Sequence, residues 1–147
     1  MKHVRDLLKQ KTNQQTWTVQ PDTKVLDALQ LMADKGVGAL VVMEKKRVSG
    51  IITERDYARK VVLMARSSHT ATVSEIMSDQ LLTVDPDQTV EECMEIMTDQ
   101  RVRHLPVMDE GRMIGIVSIG DVVKCMIEEQ ASTLQHLEQY IRGEVLA

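Results

Sequence analysis

Gly50-Ile51-Ile52-Thr53-Glu54-Arg55-Asp56 and Gly115-Ile116-Val117-Ser118-Ile119-Gly120-Asp121 are one pattern written twice, 65 residues apart. Working outward, the same offset sets Val42-Met43 on Val107-Met108 and Met32-Ala33-Asp34 on Met97-Thr98-Asp99. It also sets Thr18-Val19-Gln20-Pro21-Asp22 on Thr83-Val84-Asp85-Pro86-Asp87. The register holds without a gap from about residue 18 to 62 and from 83 to 127. Chance does not keep one register that long. Two copies, unlike the many of a solenoid, indicate a duplicated unit folded against itself.

Each copy reads β-α-β-β-α. An extended piece (Trp17 to Val19; Leu82 to Val84) ends at Pro21 or Pro86, and Asp22 or Asp87 is placed to cap the helix that follows. Val25, Ala28, Leu29 and Met32, and in the second copy Val90, Cys93, Met94 and Met97, recur at helical spacing. Two β-rich arms follow, Val37–Met43 with Val48–Ile52 and Val102–Met108 with Met113–Val117. Charged turns join them into hairpins. A second helix starts near Thr53 or Ser118. The expected class is α+β, two repeats related by a pseudo-two-fold, because pairing the copies covers a sheet that each alone leaves bare. The expected boundaries are a lead-in helix over 1–15, repeat one over 16–66, a linker with a short helix over 67–80, repeat two over 81–128 and a C-terminal helix over 129–147. In that tail Leu134, Leu137 and Ile141 share one helical face, a packing or dimer contact.

Composition narrows the function. The 147 residues carry a net charge of −4 and only 2% aromatics, with no Phe and ten Met. A mildly acidic chain with Trp17, Tyr57 and Tyr140 scattered along it offers nucleic acid neither a basic track nor a stacking platform. No apolar run approaches the ~20 residues of a membrane span, and the start lacks the apolar stretch of a signal peptide. A cytoplasmic location is expected, without membrane or nucleic-acid partners. Cys93 and Cys125 lack C-x-x-C spacing and read as reduced packing residues, and the four histidines do not cluster at metal spacing, so no metal is expected.

The repeat resembles the cystathionine β-synthase (CBS) domain, and the two copies resemble one CBS pair, or Bateman module. The resemblance is carried by Val19-x-Pro21 and Val84-x-Pro86, by Leu105-Pro106-Val107, and above all by Gly50-x-x-Thr53-x-x-Asp56 and Gly115-x-x-Ser118-x-x-Asp121. It covers nearly the whole chain. It implies a disc with two clefts for adenosine-containing ligands, assembled as head-to-head or head-to-tail dimers. With nothing catalytic attached, a stand-alone member is expected.

The resemblance assigns Asp56 and Asp121 to a ribose, and a carboxylate suits a vicinal diol because it accepts two hydrogen bonds. The competing reading of Thr53-x-x-Asp56 and Ser118-x-x-Asp121 is a capping box, in which the hydroxyl caps the helix and the acid reaches back. In Arg101-Val102-Arg103-His104-Leu105-Pro106 the resemblance implies phosphate contacts from Arg101, Arg103 and His104. The alternative is a solvated basic edge. Copy one departs there, with Gly36-Val37-Gly38-Ala39 and with Val41 in place of Pro106, so Arg55 is the expected local cation. Its glycines either widen that cleft for a longer ligand such as NAD(H), or, at Gly36, simply end a helix. Trp17, Thr18, Leu82 and Thr83 are expected to line the clefts, with Trp17 either stacked on a base or packed in the core.

The reading is a non-enzymatic regulatory protein that binds AMP, ATP or ADP, with NAD(H) in one cleft. It is expected to act as a homodimer on a protein partner the sequence does not name. The rival is a structural dimerisation module with no ligand. An enzyme acting on nucleotides is disfavoured by the lack of a base, metal or nucleophile constellation.

Overall fold

The β-hairpins form where the two-residue turns let them. A computed structural model of the chain describes residues 2–10 and 16–142. It divides into two compact units, Gln14–Thr83 and Met1–Asn13 joined with Val84–Ala147. The elements in chain order are α1 (Val4–Gln10), β1 (Thr18–Val19), α2 (Val25–Lys35), β2 (Ala39–Glu44), β3 (Arg47–Thr53) and α3 (Glu54–Tyr57). A wide π-turn follows over Ala58–Val62, then α4 (Val73–Ile76), α5 (Val90–Gln100), β4 (His104–Asp109), β5 (Arg112–Ser118) and α6 (Ile119–Ile141).

In the first-repeat unit β1 runs parallel to β2, and β2 pairs antiparallel with β3 from Ala39↔Thr53 to Glu44↔Arg47. The hairpin turns on Lys45 and Lys46, both at positive φ, as a tight turn matched to strand twist demands. Leu40, Val42 and Ile52 from the sheet meet Val25, Ala28 and Met32 from α2, with Val61, Val73 and Ile76 completing a buried core. The second-repeat unit repeats this scheme. β4 and β5 pair from His104↔Ser118 to Asp109↔Arg112, turning on Glu110 and Gly111. Both hairpins carry an irregularity at the same place, after Val42 and after Val107.

One substitution explains why the sheets differ. In the first unit Val41 N–H donates to the Trp17 carbonyl at 3.3 Å, which helps hold β1. The counterpart of Val41 is Pro106, which has no N–H to give. The lead-in strand of the second repeat therefore shrinks to a single bridge, Val84↔Val107.

The short helix before each repeat lodges on the other repeat's unit. The N–H groups of Val4 and Arg5 opening α1 donate to the carbonyls of Gln88 and Pro86 at 2.8 and 3.1 Å. Those of Val73 and Ser74 opening α4 donate in the same way to Thr23 and Pro21, at 2.8 and 2.9 Å. Helix-opening N–H groups have no partner within their own helix, and the proline turns supply acceptors. Gly50 permits the close approach that follows α4: a Cβ there would stand 2.5 Å from the Ser78 carbonyl oxygen.

Two expectations change. Asp22 and Asp87 cap nothing, because the proline turn continues for three more residues. Lys24 opens α2 without a side-chain cap bond, and Thr89 caps α5 by accepting from Glu92 N–H at 3.1 Å. The C-terminal helix is not separate, since α6 runs unbroken from Ile119 to Ile141. Among the described residues no helix is long and apolar enough to cross a membrane.

Candidate ligand-binding site

The hairpin of each unit ends where a helix begins, and there the repeated hydroxyl and acid meet. Thr53 Oγ1 accepts from Asp56 N–H at 3.1 Å, while Asp56 Oδ2 accepts from Thr53 N–H at 3.0 Å and from Thr53 Oγ1 at 3.1 Å. Ser118 Oγ accepts from Asp121 N–H at 3.2 Å, and Asp121 Oδ2 accepts from Ser118 N–H at 2.9 Å. The capping box is thus formed in both units. It engages one oxygen of each carboxylate, so any diol held by Asp56 must address the other. That oxygen, Oδ1, lies 3.8 Å from Lys60 Nζ, which itself donates to the Ile76 carbonyl at 3.1 Å. Lys60 was not singled out in the sequence. Its spacing of four from Asp56 on a helical pattern is the signal that marks it.

Arg101, Arg103 and His104 all belong to the α5–β4 junction. Arg101 ends α5 in the left-handed conformation (φ 55°, ψ 42°), donating its N–H to the Met97 carbonyl. Gly36 does the same for α2 (φ 64°, ψ 37°). The helix-ending role foreseen for Gly36 is therefore realised. Arg101 occupies a backbone state that disfavours side chains, which is the kind of local strain that collects at working sites. Arg103 is exposed, His104 is half-buried opposite Ser118, and Pro106 is buried.

In the first unit Gly38 and Ala39 stand at the positions of Arg103 and His104. Beside Gly38, Glu54 Oε1 lies 3.3 Å from where a Cβ would be. Arg55 is exposed next to it and has an interaction of its own. Trp17 packs against the first unit's core, with Lys35 Nζ 4.4 Å from its ring centroid and its indole N–H buried without a partner. The cation over its ring competes with a stacked base. Thr18 and Thr83 are exposed. The structure gathers Trp17, Thr18, Gly38, Ala39, Thr53, Arg55, Asp56 and Thr83 in the Gln14–Thr83 unit. It gathers Arg101, Arg103, His104, Pro106, Ser118 and Asp121 in the other.

Both cysteines are inert in this setting. Burial pushes the Cys93 thiol up to about 11 and raises Cys125 as well. No group of three or more His, Cys, Asp or Glu among the described residues is arranged to hold a metal ion.

Duplicated β-α-β-β-α units, each with a hydroxyl–acid capping box at its strand-to-helix junction, define a tandem-repeat module. The CBS domain family matches residues 4–63 and 73–128, and the chain belongs to that family. It is 46% identical over 132 residues to the CBS domain-containing protein CBSX3, mitochondrial, of Arabidopsis thaliana. That match covers 86% of this chain, and the chain spans 64% of the length of that relative. The solved structure of a signal-transduction protein with CBS domains from Burkholderia ambifaria MC40-6 superposes with a TM-score of 0.84 at 49% identity, covering 87% of this chain and 96% of that one. The CBS domain pair of protein MJ0100, solved with 5′-methylthioadenosine and S-adenosyl-L-methionine, shares the fold (TM-score 0.76) at 21% identity, covering 88% of this chain and 98% of that one.

Proposed function

We propose that the chain is a regulatory, non-catalytic CBS pair that binds adenosine-containing ligands at its two strand-to-helix junctions, AMP first among them. The observation that carries the reading is the pairing of Ser118 and Asp121 with a cationic strand entry. Asp121 lies on the first turn of α6, while Arg101, Arg103 and His104 lead into the strand that pairs with Ser118. A diol acceptor and guanidinium donors on adjoining elements match the two polar ends of a nucleoside monophosphate. Adenosyl ligands on a module of the same fold, MJ0100, are in keeping with it. ATP and ADP extend the same contacts. NAD(H) remains the longer candidate for the first repeat, where Glu54 stands beside Gly38.

The test is calorimetric and thermal titration with AMP. A hundredfold excess over Kd raises stability by ~2.7 kcal/mol. Asp121→Asn keeps an acceptor for the Ser118 N–H, so the fold persists while the ribose contact weakens and AMP binding falls at least tenfold. Unchanged binding in that variant refutes the ribose role. The absence of any shift with adenosine compounds leaves the dimerisation module as the function.

The α6 surface supports self-association as part of this reading. Val123, Ile127, Leu134, Leu137 and Ile141 are exposed and fall at alternating spacings of four and three once Gln130 is included. That spacing makes a seam for a second helix, and a second copy of this chain is the proposed occupant. Leu134→Asp with Leu137→Asp should shift the molar mass in light scattering to that of a monomer. Ligand occupancy would then reach a partner protein by favouring one arrangement of the dimer over another. The cytoplasm remains the proposed location. The Arabidopsis relative is named as mitochondrial, so fractionation of the source cells decides the compartment.

A further inference from the structure

One ammonium group ties the first unit's repeated acid to the end of another helix. Lys60 Nζ stands 3.8 Å from Asp56 Oδ1 and donates to the Ile76 carbonyl at 3.1 Å. Asp56 Oδ2 is held by the capping box, so Oδ1 is the oxygen that remains for a ligand hydroxyl. Ile76 is the last residue of α4, where helix carbonyls lack partners and a cation is favoured. Lys60 itself sits inside the π-turn Ala58–Val62, closed by Leu63 N–H on the Ala58 carbonyl at 3.2 Å. Such turns collect at working positions of helices. The second repeat runs as regular α-helix here and has the buried Cys125 in place of Lys60, so this tie belongs to the first repeat.

We propose that Lys60 is a regulatory link through which occupancy of Asp56 is felt at α4. The inference rests on the functional reading above, with Asp56 as a ribose acid. Without ligand the ammonium is shared between the Asp56 carboxylate and the Ile76 carbonyl. A ribose hydroxyl that donates to Oδ1 takes up the acceptor on which Lys60 leans, and the ammonium then serves the Ile76 carbonyl alone. The end of α4 is held more firmly in the liganded protein. The bonds that gain are Met77 N–H on the Val73 carbonyl and Ser78 N–H on the Ile51 carbonyl, both 2.9 Å. They lie in the segment that carries the chain into repeat two. The lysine is half-exposed, so the coupling is small, up to about fivefold. Linkage makes it reciprocal: whatever loosens the end of α4 weakens a ligand at Asp56 by the same factor.

The experiment is amide hydrogen exchange on the full chain with and without saturating AMP, read at Met77 and Ser78. Amides of β2 serve as the reference for stabilisation of the whole unit by ligand. Relative to them, AMP should slow Met77 and Ser78 by up to about fivefold in the wild type. Asp121→Asn should keep that response, since it leaves the first repeat's acid in place. Lys60→Met keeps the apolar stem and removes the ammonium. Calorimetry should show it binding AMP within about fivefold of the wild type, while the response at Met77 and Ser78 disappears. If Lys60→Met does not fold, Lys60→Gln takes its place. The same slowing in the folded variant, or no slowing in a wild type that binds AMP, overturns this inference alone. Complete loss of AMP binding in the folded variant does so too, because Lys60 is then a direct ligand contact. A wild type that binds no AMP overturns the functional reading and this inference with it.

Discussion

Arg101→Gly should make the protein more stable and a poorer binder of AMP. The residue ends α5 at φ 55°, the position that Gly36 fills for α2 at φ 64°. Both ends close in the same way, with Val102 N–H reaching Met97 and Val37 N–H reaching Met32 at 3.1 and 3.0 Å. Glycine therefore fits the geometry without rearrangement. A side chain in this conformation costs roughly 1–2 kcal/mol. Removing it frees that amount, less the larger chain entropy of glycine and less the modest value of an exposed arginine's contacts. The net expectation is a gain of about 0.5–1 kcal/mol, or roughly 1–4 °C in Tm for a chain of this size. The mirror change, Gly36→Arg, should cost about 1 kcal/mol. Urea unfolding followed by circular dichroism measures both, and AMP calorimetry should show Arg101→Gly weakened severalfold. If Arg101→Gly destabilises the fold, the cap is not strained. If its AMP affinity equals that of the wild type, the strain is not retained for the ligand.

Four further outcomes follow from close contacts, backbone conformation and burial. Gly50→Ala should cost about 2–3 kcal/mol in urea unfolding, because the added Cβ meets a backbone oxygen at 2.5 Å and disturbs the paired Ile51–Ser78 bonds. Gly115→Ala should cost about 1 kcal/mol or less, since the contact there is the mobile end of Leu8. Lys46→Gly should stabilise the first hairpin by about 1 kcal/mol in Tm measurements, because Lys46 sits at φ 76° where the second hairpin has Gly111 at φ 77°. The buried Cys93 thiol, raised from 9.0 to about 11, keeps its full contribution while it is protonated both folded and unfolded. Stability should therefore fall as pH rises from about 9 towards 11, and Cys93→Ala should flatten that slope in pH-dependent unfolding.

The local chemistry of the site could be read directly from the chain. Thr53 with Asp56 and Ser118 with Asp121 are three residues apart, and a contact that short is set by the helix start alone. The choice between a capping acid and a ribose acid could not be read, because both use the same two residues. Lys60 and Glu54 were missed because their roles depend on the Ile76 carbonyl and on the space at Gly38, which lie sixteen residues away in each case.

The sequence by itself determined the duplication, the two hairpins and the helices between them, since each follows from periodicity and turn chemistry over a few residues. Only the tertiary structure decided that α1 lodges with the second repeat and α4 with the first. It alone showed that Pro106 reduces a strand to one bridge and that a carboxylate fills the room beside Gly38. These outcomes turn on which distant carbonyl, N–H or side chain arrives at a given place. Residue spacing along the chain carries no record of that.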